Sequence, residues 1–317
     1  MKKYIAFLCL FFFTIIAFGQ QEAQFSHNMF NNMAINPGYA GSKDAICATL
    51  LAHQQWVGFK DADGNKVAPQ TYLVSVDGAM SAIHGGLGLT VIQDQLGFQN
   101  NNSVKLAYAY RKTLSEGTLG IGAQVEFLSK KIDFSKFKPI ETDDQLLMST
   151  TSENNMAIDF GLGAFYNVPN KFYVGLSGLQ LAKSQIAFST KLAKITNARH
   201  FYLSGGYYYT LPSNPSFELA PSILIKTDFA STQFDINALL KYNNKFWGGV
   251  SYRTIDAIVI LLGMNWKNFH FGYSYDLTTS ALGAKGRSSG SHEIMVGYCF
   301  KIIREFKPES YKNPRFL

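Results

Sequence analysis

Residues Phe269 to Leu277 read Phe-His-Phe-Gly-Tyr-Ser-Tyr-Asp-Leu, and this pattern constrains the fold more than any other feature of the chain. Side chains on an extended strand alternate between its two faces. Phe269, Phe271, Tyr273 and Tyr275 therefore share one face, and His270, Gly272, Ser274 and Asp276 share the other. The same arrangement recurs over nearly the whole chain. Leu119, Ile121, Ala123, Val125 and Phe127 alternate with Gly120, Gly122, Gln124 and Glu126. An apolar face backed by a small and polar one, repeated strand after strand, predicts an all-β transmembrane antiparallel β-barrel. A soluble β-sandwich or propeller is the competing fold, and composition alone does not separate them.

Composition enters at that point. Aromatic residues make up 15% of the 317 residues and charged residues 16%, with 26 Phe, 17 Tyr and 27 Gly. A mean hydropathy of −0.02 argues against a bundle of membrane helices and suits a wall whose two faces average out. Connector length then separates barrel from sandwich. Strands are predicted near 45–56, 70–79, 84–94, 102–113, 118–130, 156–168, 171–183, 199–211, 217–227, 233–242, 245–253, 257–266, 269–277 and 292–300, about fourteen in all. Every second connector is short, as at Pro169-Asn170, Asn243-Asn244 and Lys267-Asn268, and the long ones (57–69, 131–155, 184–198, 278–291) fall between them. Outer-membrane barrels segregate short periplasmic turns from long external loops in this way, and a sandwich has no reason to.

The ends of the chain divide it further. Lys2 and Lys3 precede an apolar run, and Ala17-Phe18-Gly19 supplies small residues, so residues 1–19 are expected to be a signal peptide cleaved before Gln20. Cys9 lies within that run without the small residues a lipid anchor needs before it. Residues 20–44 show no alternation and combine turn formers with Phe25, Met29, Phe30, Asn36, Pro37 and Tyr39. Such a segment is expected to fill the lumen or its periplasmic mouth, the competing reading being a loosely held tail. The barrel is assigned to 45–300. The remaining 301–317 form a basic periplasmic tail with Arg304, Lys307, Lys312 and Arg315, either a solvated end or, as taken here, a docking peptide for a periplasmic partner. Cys47 and Cys299 fall in the first and last strands. Barrel closure would pair those strands and so allow a disulfide, but cross-strand geometry seldom suits one, and two buried free thiols are the reading taken here.

On this face assignment Lys105, Arg111, Lys226 and Arg253 point into the lumen against Asp77, Glu126, Asp159, Glu218, Asp235, Asp276 and Glu293. These charges are expected to pair with one another and with the plug. The net charge of +7 resides mainly in loops and tail, and no Lys/Arg run interleaves with stacking aromatics, so nucleic acid is not expected as a partner. No chemistry emerges either. The six histidines are scattered, Asp61-Ala62-Asp63-Gly64-Asn65 lacks the spacing and distal Glu of a calcium loop, and there is no GxSxG. Gly85-Gly86-Leu87-Gly88 lies on a strand and reads as curvature and lumen space, not a phosphate cradle. Neither enzymatic activity nor a cofactor is expected.

An ordered series of motifs resembles the PorP/SprF family of Bacteroidetes outer-membrane proteins. It begins with Gln24-Phe25-Ser26, Met29-Phe30 and Ile35-Asn36-Pro37-Gly38-Tyr39-Ala40-Gly41-Ser42, then Gln55-Trp56-Val57-Gly58-Phe59 and Ala68-Pro69-Gln70-Thr71. It continues through Gly86-Leu87-Gly88, Asp94, Gly97, Tyr108-Ala109-Tyr110 and Gly161-Leu162-Gly163. Pro221-Ser222, Lys226, Trp247-Gly248-Gly249, Tyr273-Ser274-Tyr275-Asp276 and Ser291-His292-Glu293 complete it. The stretch Lys60–Val67 and the C-terminal tail depart from the pattern. The resemblance implies an outer-membrane barrel of type IX secretion and gliding motility that exports or anchors large surface adhesins through their C-terminal sorting domains. Its implied partners are that exported protein and periplasmic components of the system, including a peptidoglycan-binding lipoprotein. A small-molecule channel or transporter is the alternative from another class.

Overall fold

The computed structural model describes residues 22–137, 152–188, 194–280 and 288–301. The expected signal peptide 1–19 and the tail residues Arg304, Lys307, Lys312 and Arg315 lie outside them. The wall begins with β1 (Ala45–Gln54), β2 (Gln70–Met80), β3 (Gly85–Leu96), β4 (Gln99–Leu114) and β5 (Gly117–Asp133). It continues with β6 (Ser152–Val168) and β7 (Phe172–Leu179), and a small external hairpin of β8 (Gln185–Ala187) and β9 (Lys194–Thr196) follows. Then come β10 (His200–Tyr207), β11 (Tyr209–Thr210), β12 (Phe217–Thr227), β13 (Thr232–Tyr242) and β14 (Phe246–Arg253). The last are β15 (Ala257–Trp266), β16 (Phe269–Thr278) and β17 (Ser291–Lys301). Fifteen strands form one antiparallel sheet that closes through β10–β12 and β1–β17. β10 and β11 are one stave interrupted at Tyr208, whose N–H donates to the Lys171 carbonyl at 2.8 Å, so the wall is a closed fourteen-stranded barrel.

Alternation in the sequence is the alternation of the wall. Ile158, Phe160 and Leu162 are each more than half exposed on the outside, while Asp159 between them is fully buried. An apolar outer belt of this extent is stable only against lipid, and a closed ladder leaves no unpaired edge there. No helix among the described residues is long and apolar enough to cross a membrane; the crossing is made by strands. β15, apolar on both faces in the sequence, is explained by its neighbours. Ile258, Ile260 and Leu262 face outward, whereas Val259 and Leu261 are fully buried with Phe25 of the N-terminal segment.

One end carries the tight turns. Asn243 and Asn244 both take positive φ (50° and 52°), as a two-residue hairpin requires and as Asn tolerates. The start of β1 and the end of β17 lie at this same end. The opposite, outer end carries the long connectors and the β8–β9 hairpin, which alternation did not reveal because each strand has only three residues. Leu128, Ile132, Ile186 and Phe188 bury one another and hold the hairpin to the rim. β7 stops at Leu179, earlier than the pattern suggested, because residues 181–184 turn inward to Asp159: the carboxylate accepts from the N–H groups of Ala182 (2.9 Å) and Ser184 (3.0 Å).

The expectation of two free thiols is corrected. Cys47 and Cys299 are bonded to each other across the closing ladder, directly opposite in register with a Cα–Cα distance of 4.1 Å. The Cys299 N–H donates to Asn268 on the other side of the strand, which leaves the cysteines as a non-hydrogen-bonded pair. That class of pair brings opposed side chains closest.

Candidate functional site

The lumen is occupied by the protein's own N-terminal segment. Residues 22–42 lie inside the barrel as an irregular chain with three short 3-10 turns, Asn28–Phe30, Asn32–Ala34 and Pro37–Tyr39, and Lys43 and Asp44 emerge exposed before β1. Asn, Pro and Gly prevent a longer helix and shape the turns. The Asn36 side chain accepts from the Gly38 N–H (2.9 Å) and donates to the Ala164 carbonyl (3.0 Å), fixing the Asn-Pro-Gly corner against the wall.

Glycines in the wall are the imprint of that corner. A Cβ on Gly122 would lie 2.4 Å from the Pro37 carbonyl oxygen, one on Gly120 2.2 Å from that of Gly38, and one on Gly163 2.2 Å from Asn36 Oδ1. Gly86 and Gly88 stand in the same relation to Ala40 and Met33. The Gly-x-Gly pairs read from the sequence as lumen space make room for one object, the plug. Its apolar residues fill what remains. Phe25 packs with Leu51, Leu73 and Met295, Met29 lies against the same cluster, Phe30 lies 4.8 Å from the Trp247 ring, and Tyr39 meets Phe165 edge-on at 5.0 Å. Each apolar side chain buried this way contributes about 1.5–3 kcal/mol.

Charges complete the seal. Arg253 reaches Asp235 (3.3 Å), Asp256 (3.3 Å) and Asp276 (3.4 Å), and Ser26 of the plug donates to the same Asp276 carboxylate at 2.6 Å. Lys105 pairs with Glu22 of the plug at 3.0 Å and approaches Glu126 at 3.9 Å. Lys226 donates to the Glu22 carbonyl (3.0 Å), and Tyr202 donates to the Glu22 carboxylate (2.9 Å). Fully buried Glu293 accepts from the backbone N–H groups of Ser26 (2.9 Å) and His27 (2.8 Å) and from His27 Nδ1 (2.6 Å). At the inner end the Gly41 N–H donates to Asp77 (2.9 Å), Arg111 reaches the Ser42 carbonyl (3.5 Å), and Glu218 pairs with Lys241 (2.8 Å). Buried charges are costly unless matched, and here plug and wall match one another.

The structure thus brings the lumen charges Lys105, Glu126, Lys226, Asp235, Arg253, Asp276 and Glu293 into contact with the plug or with its partners. Asp159 instead anchors the outer loop, and Glu218 works with Lys241 and the ring of Tyr208. Sequence reasoning missed Glu22, Ser26, His27 and His53, which lie off the alternating strands or looked like scattered histidines. Among the described residues no group of three or more His, Cys, Asp or Glu is placed to hold a metal. Asp61 closes its own loop by accepting from the N–H groups of Asp63 (3.0 Å) and Asn65 (2.7 Å), and the Asn65 side chain holds its carboxyl below the usual range.

Above the plug, at the outer end, is a vestibule of about 380 Å³, floored by Glu22, Ala23 and Gln24 and walled by β1–β3 and β13–β17. Other cavities between plug and wall are far smaller, at about 80, 30 and 40 Å³.

A family model described as "Type IX secretion system membrane protein PorP/SprF" matches residues 17–298. The chain belongs to the PorP/SprF family. No curated protein matches it. Among solved structures, the Ralstonia pickettii toluene transporter TbuX is 12% identical, with 87% of this chain and 93% of that one covered at a TM-score of 0.49. The Pseudomonas putida toluene transporter TodX is 10% identical, with 90% and 95% covered, also at 0.49. The translocator domain of the autotransporter NalP from Neisseria meningitidis is 14% identical, with 81% and 88% covered, at 0.38. The protein is a PorP/SprF-family membrane protein of type IX secretion with an outer-membrane barrel fold.

Proposed function

We propose that this PorP/SprF barrel is a non-enzymatic holder that helps export or anchor large cell-surface adhesins through their C-terminal sorting domains. The occupied lumen carries this reading. The plug is seated on glycines and matched by buried charges, which favours a holding surface over a conduit. The exported partner would bind at the outer rim through the connectors 131–155 and 184–198, the latter carrying the β8–β9 hairpin. The basic tail with Arg304, Lys307, Lys312 and Arg315 would engage a periplasmic component, a peptidoglycan-binding lipoprotein being the expected class.

Affinity purification from native outer membranes, followed by mass spectrometry, tests the reading. Co-purification of a large surface protein carrying a C-terminal sorting domain supports it. Solute flux through the purified barrel in liposomes, without such a partner, would favour the channel instead. Deleting 301–317 should lower the yield of periplasmic partners; full yield without the tail would end the docking assignment.

A further inference from the structure

At the outer end β6 rises past the strand that follows it. It pairs with β5 from Ser152 to Asn167, but with β7 only from Leu162 inward. Residues 152–161 therefore have a ladder on one side alone. The chain beyond β7 does not supply the other. It turns into the lumen at Asp159, and the β8–β9 hairpin forms a separate two-stranded sheet packed on the inward-facing Leu128 and Ile132.

Phe160 shows which groups are left over. Its carbonyl accepts from the Leu181 N–H at 2.9 Å, on the β7 side. The N–H and C=O of one residue point to the same side of a strand, and those of the next residue point to the other. Phe160, Ile158, Met156 and Asn154 thus present theirs away from β5. The Phe160 N–H, with no strand opposite, donates to the Asp159 carboxylate at 2.8 Å. Among the described residues, the main-chain groups of Asn154, Met156 and Ile158 on that side meet no main-chain partner. Their side chains face outward: Ile158 is 53% exposed and Met156 69%, and above them come the polar Asn154 and Ser152. The strand leaves the lipid belt near Met156, and an open edge about 17 Å long lies just there.

Such an edge is costly beside lipid, and only an extended chain matches its alternating donors and acceptors. A second copy does not supply that chain. Copies in one membrane share an orientation, so a two-fold axis along the membrane normal sets Met156 opposite Met156 on strands running the same way. A parallel ladder needs each such residue opposite one that points away. We propose that the outer edge of β6 takes one strand of the exported partner's C-terminal domain, which is held by continuing the barrel's own sheet. This rests on the secretion reading. The incoming strand pairs main chain to main chain with Asn154, Met156 and Ile158. Its apolar side chains cover Met156 and Ile158 where the top of β7 leaves them bare.

Met156→Pro removes the edge N–H and spares the ladder to β5, whose bonds come from the neighbouring residues; proline is accepted on edge strands. Met156→Ala trims the side chain and keeps the N–H. Unboiled electrophoretic migration checks that both variants fold. In affinity purification from native outer membranes, Met156→Pro should retain about tenfold less of the exported surface protein than wild type, as for one interfacial hydrogen bond lost. Met156→Ala should retain clearly more than Met156→Pro. Equal retention by wild type and Met156→Pro overturns the proposal and leaves the secretion reading intact. A wild-type barrel that retains no surface protein overturns that reading and this one with it. Residue-resolved amide exchange on the purified wild-type barrel in detergent is the second measurement. Met156 and Ile158 should exchange faster than Ala157 and Asp159, which bond to β5. Equal protection would show that the barrel's own chain covers the edge, and would end the proposal whatever the partner.

Discussion

Replacing Gly122 by Ala asks how firmly the plug is seated. The added Cβ would sit 2.4 Å from the Pro37 oxygen, 2.5 Å from the Pro37 carbonyl carbon and 2.6 Å from the Gly38 nitrogen. All are backbone atoms, so no side chain can swing aside. The corner would have to retreat by about 1 Å, and overpacking of this kind costs about 1–3 kcal/mol. The wall does not yield, because Gly122 and Gly163 sit mid-ladder between long strands. The plug does, since the hydrogen bonds from Asn36 to Ala164 and Leu176 fix that corner and depend on its present position. The population of dislodged plug should rise roughly 5- to 150-fold. Planar-bilayer recording reads this as more frequent openings. Gly205→Ala is the control, since its nearest neighbour would be an ordinary 3.7 Å away. Equal opening frequency in both variants would refute the claim that wall glycines seat the plug.

Further outcomes follow from the same geometry. Thiol titration of unfolded, unreduced mature protein should find neither Cys47 nor Cys299 free. Cys47→Ala should lower stability by up to about 5 kcal/mol, as expected for a loop closed over 252 positions, read as earlier loss of the unboiled gel form on heating. Arg253→Leu leaves Asp235 and Asp276 buried without their cation and should cost about 3–5 kcal/mol, measured by denaturant unfolding in detergent. Asp159→Ala removes the acceptor for Ala182 and Ser184 and should expose the 181–188 segment to external protease with the barrel intact; unchanged cleavage would contradict the anchoring role.

Much of the wall was legible because a strand with lipid on one side and a polar interior on the other must alternate. Phe269 to Leu277 announced its two faces, and Asn243-Asn244 announced its turn. The plug was legible only as an exception, a stretch rich in Asn, Pro and Gly that nonetheless carried Phe25, Met29 and Tyr39. What stayed hidden depended on pairs distant in sequence. His27 and Glu293, or Glu22 and Lys105, share a carboxylate or an ion pair only after the barrel closes. The cysteines show the same limit. Whether Cys47 and Cys299 meet depends on the register of the last strand against the first, and nothing local to either residue encodes it.

That bond also determines how the molecule would carry a pull. Every other ladder joins staves that follow one another along the chain, so a tug there is shared through a hairpin. β1 and β17 are the first and last staves of the wall, and a zipper peeled from its end opens one tooth at a time. A load on the tail beyond Lys301 arrives at β17 two residues from Cys299. It then meets a covalent rivet where it would otherwise meet a row of hydrogen bonds, and the ring is loaded as a hoop with no loose end to start the tear.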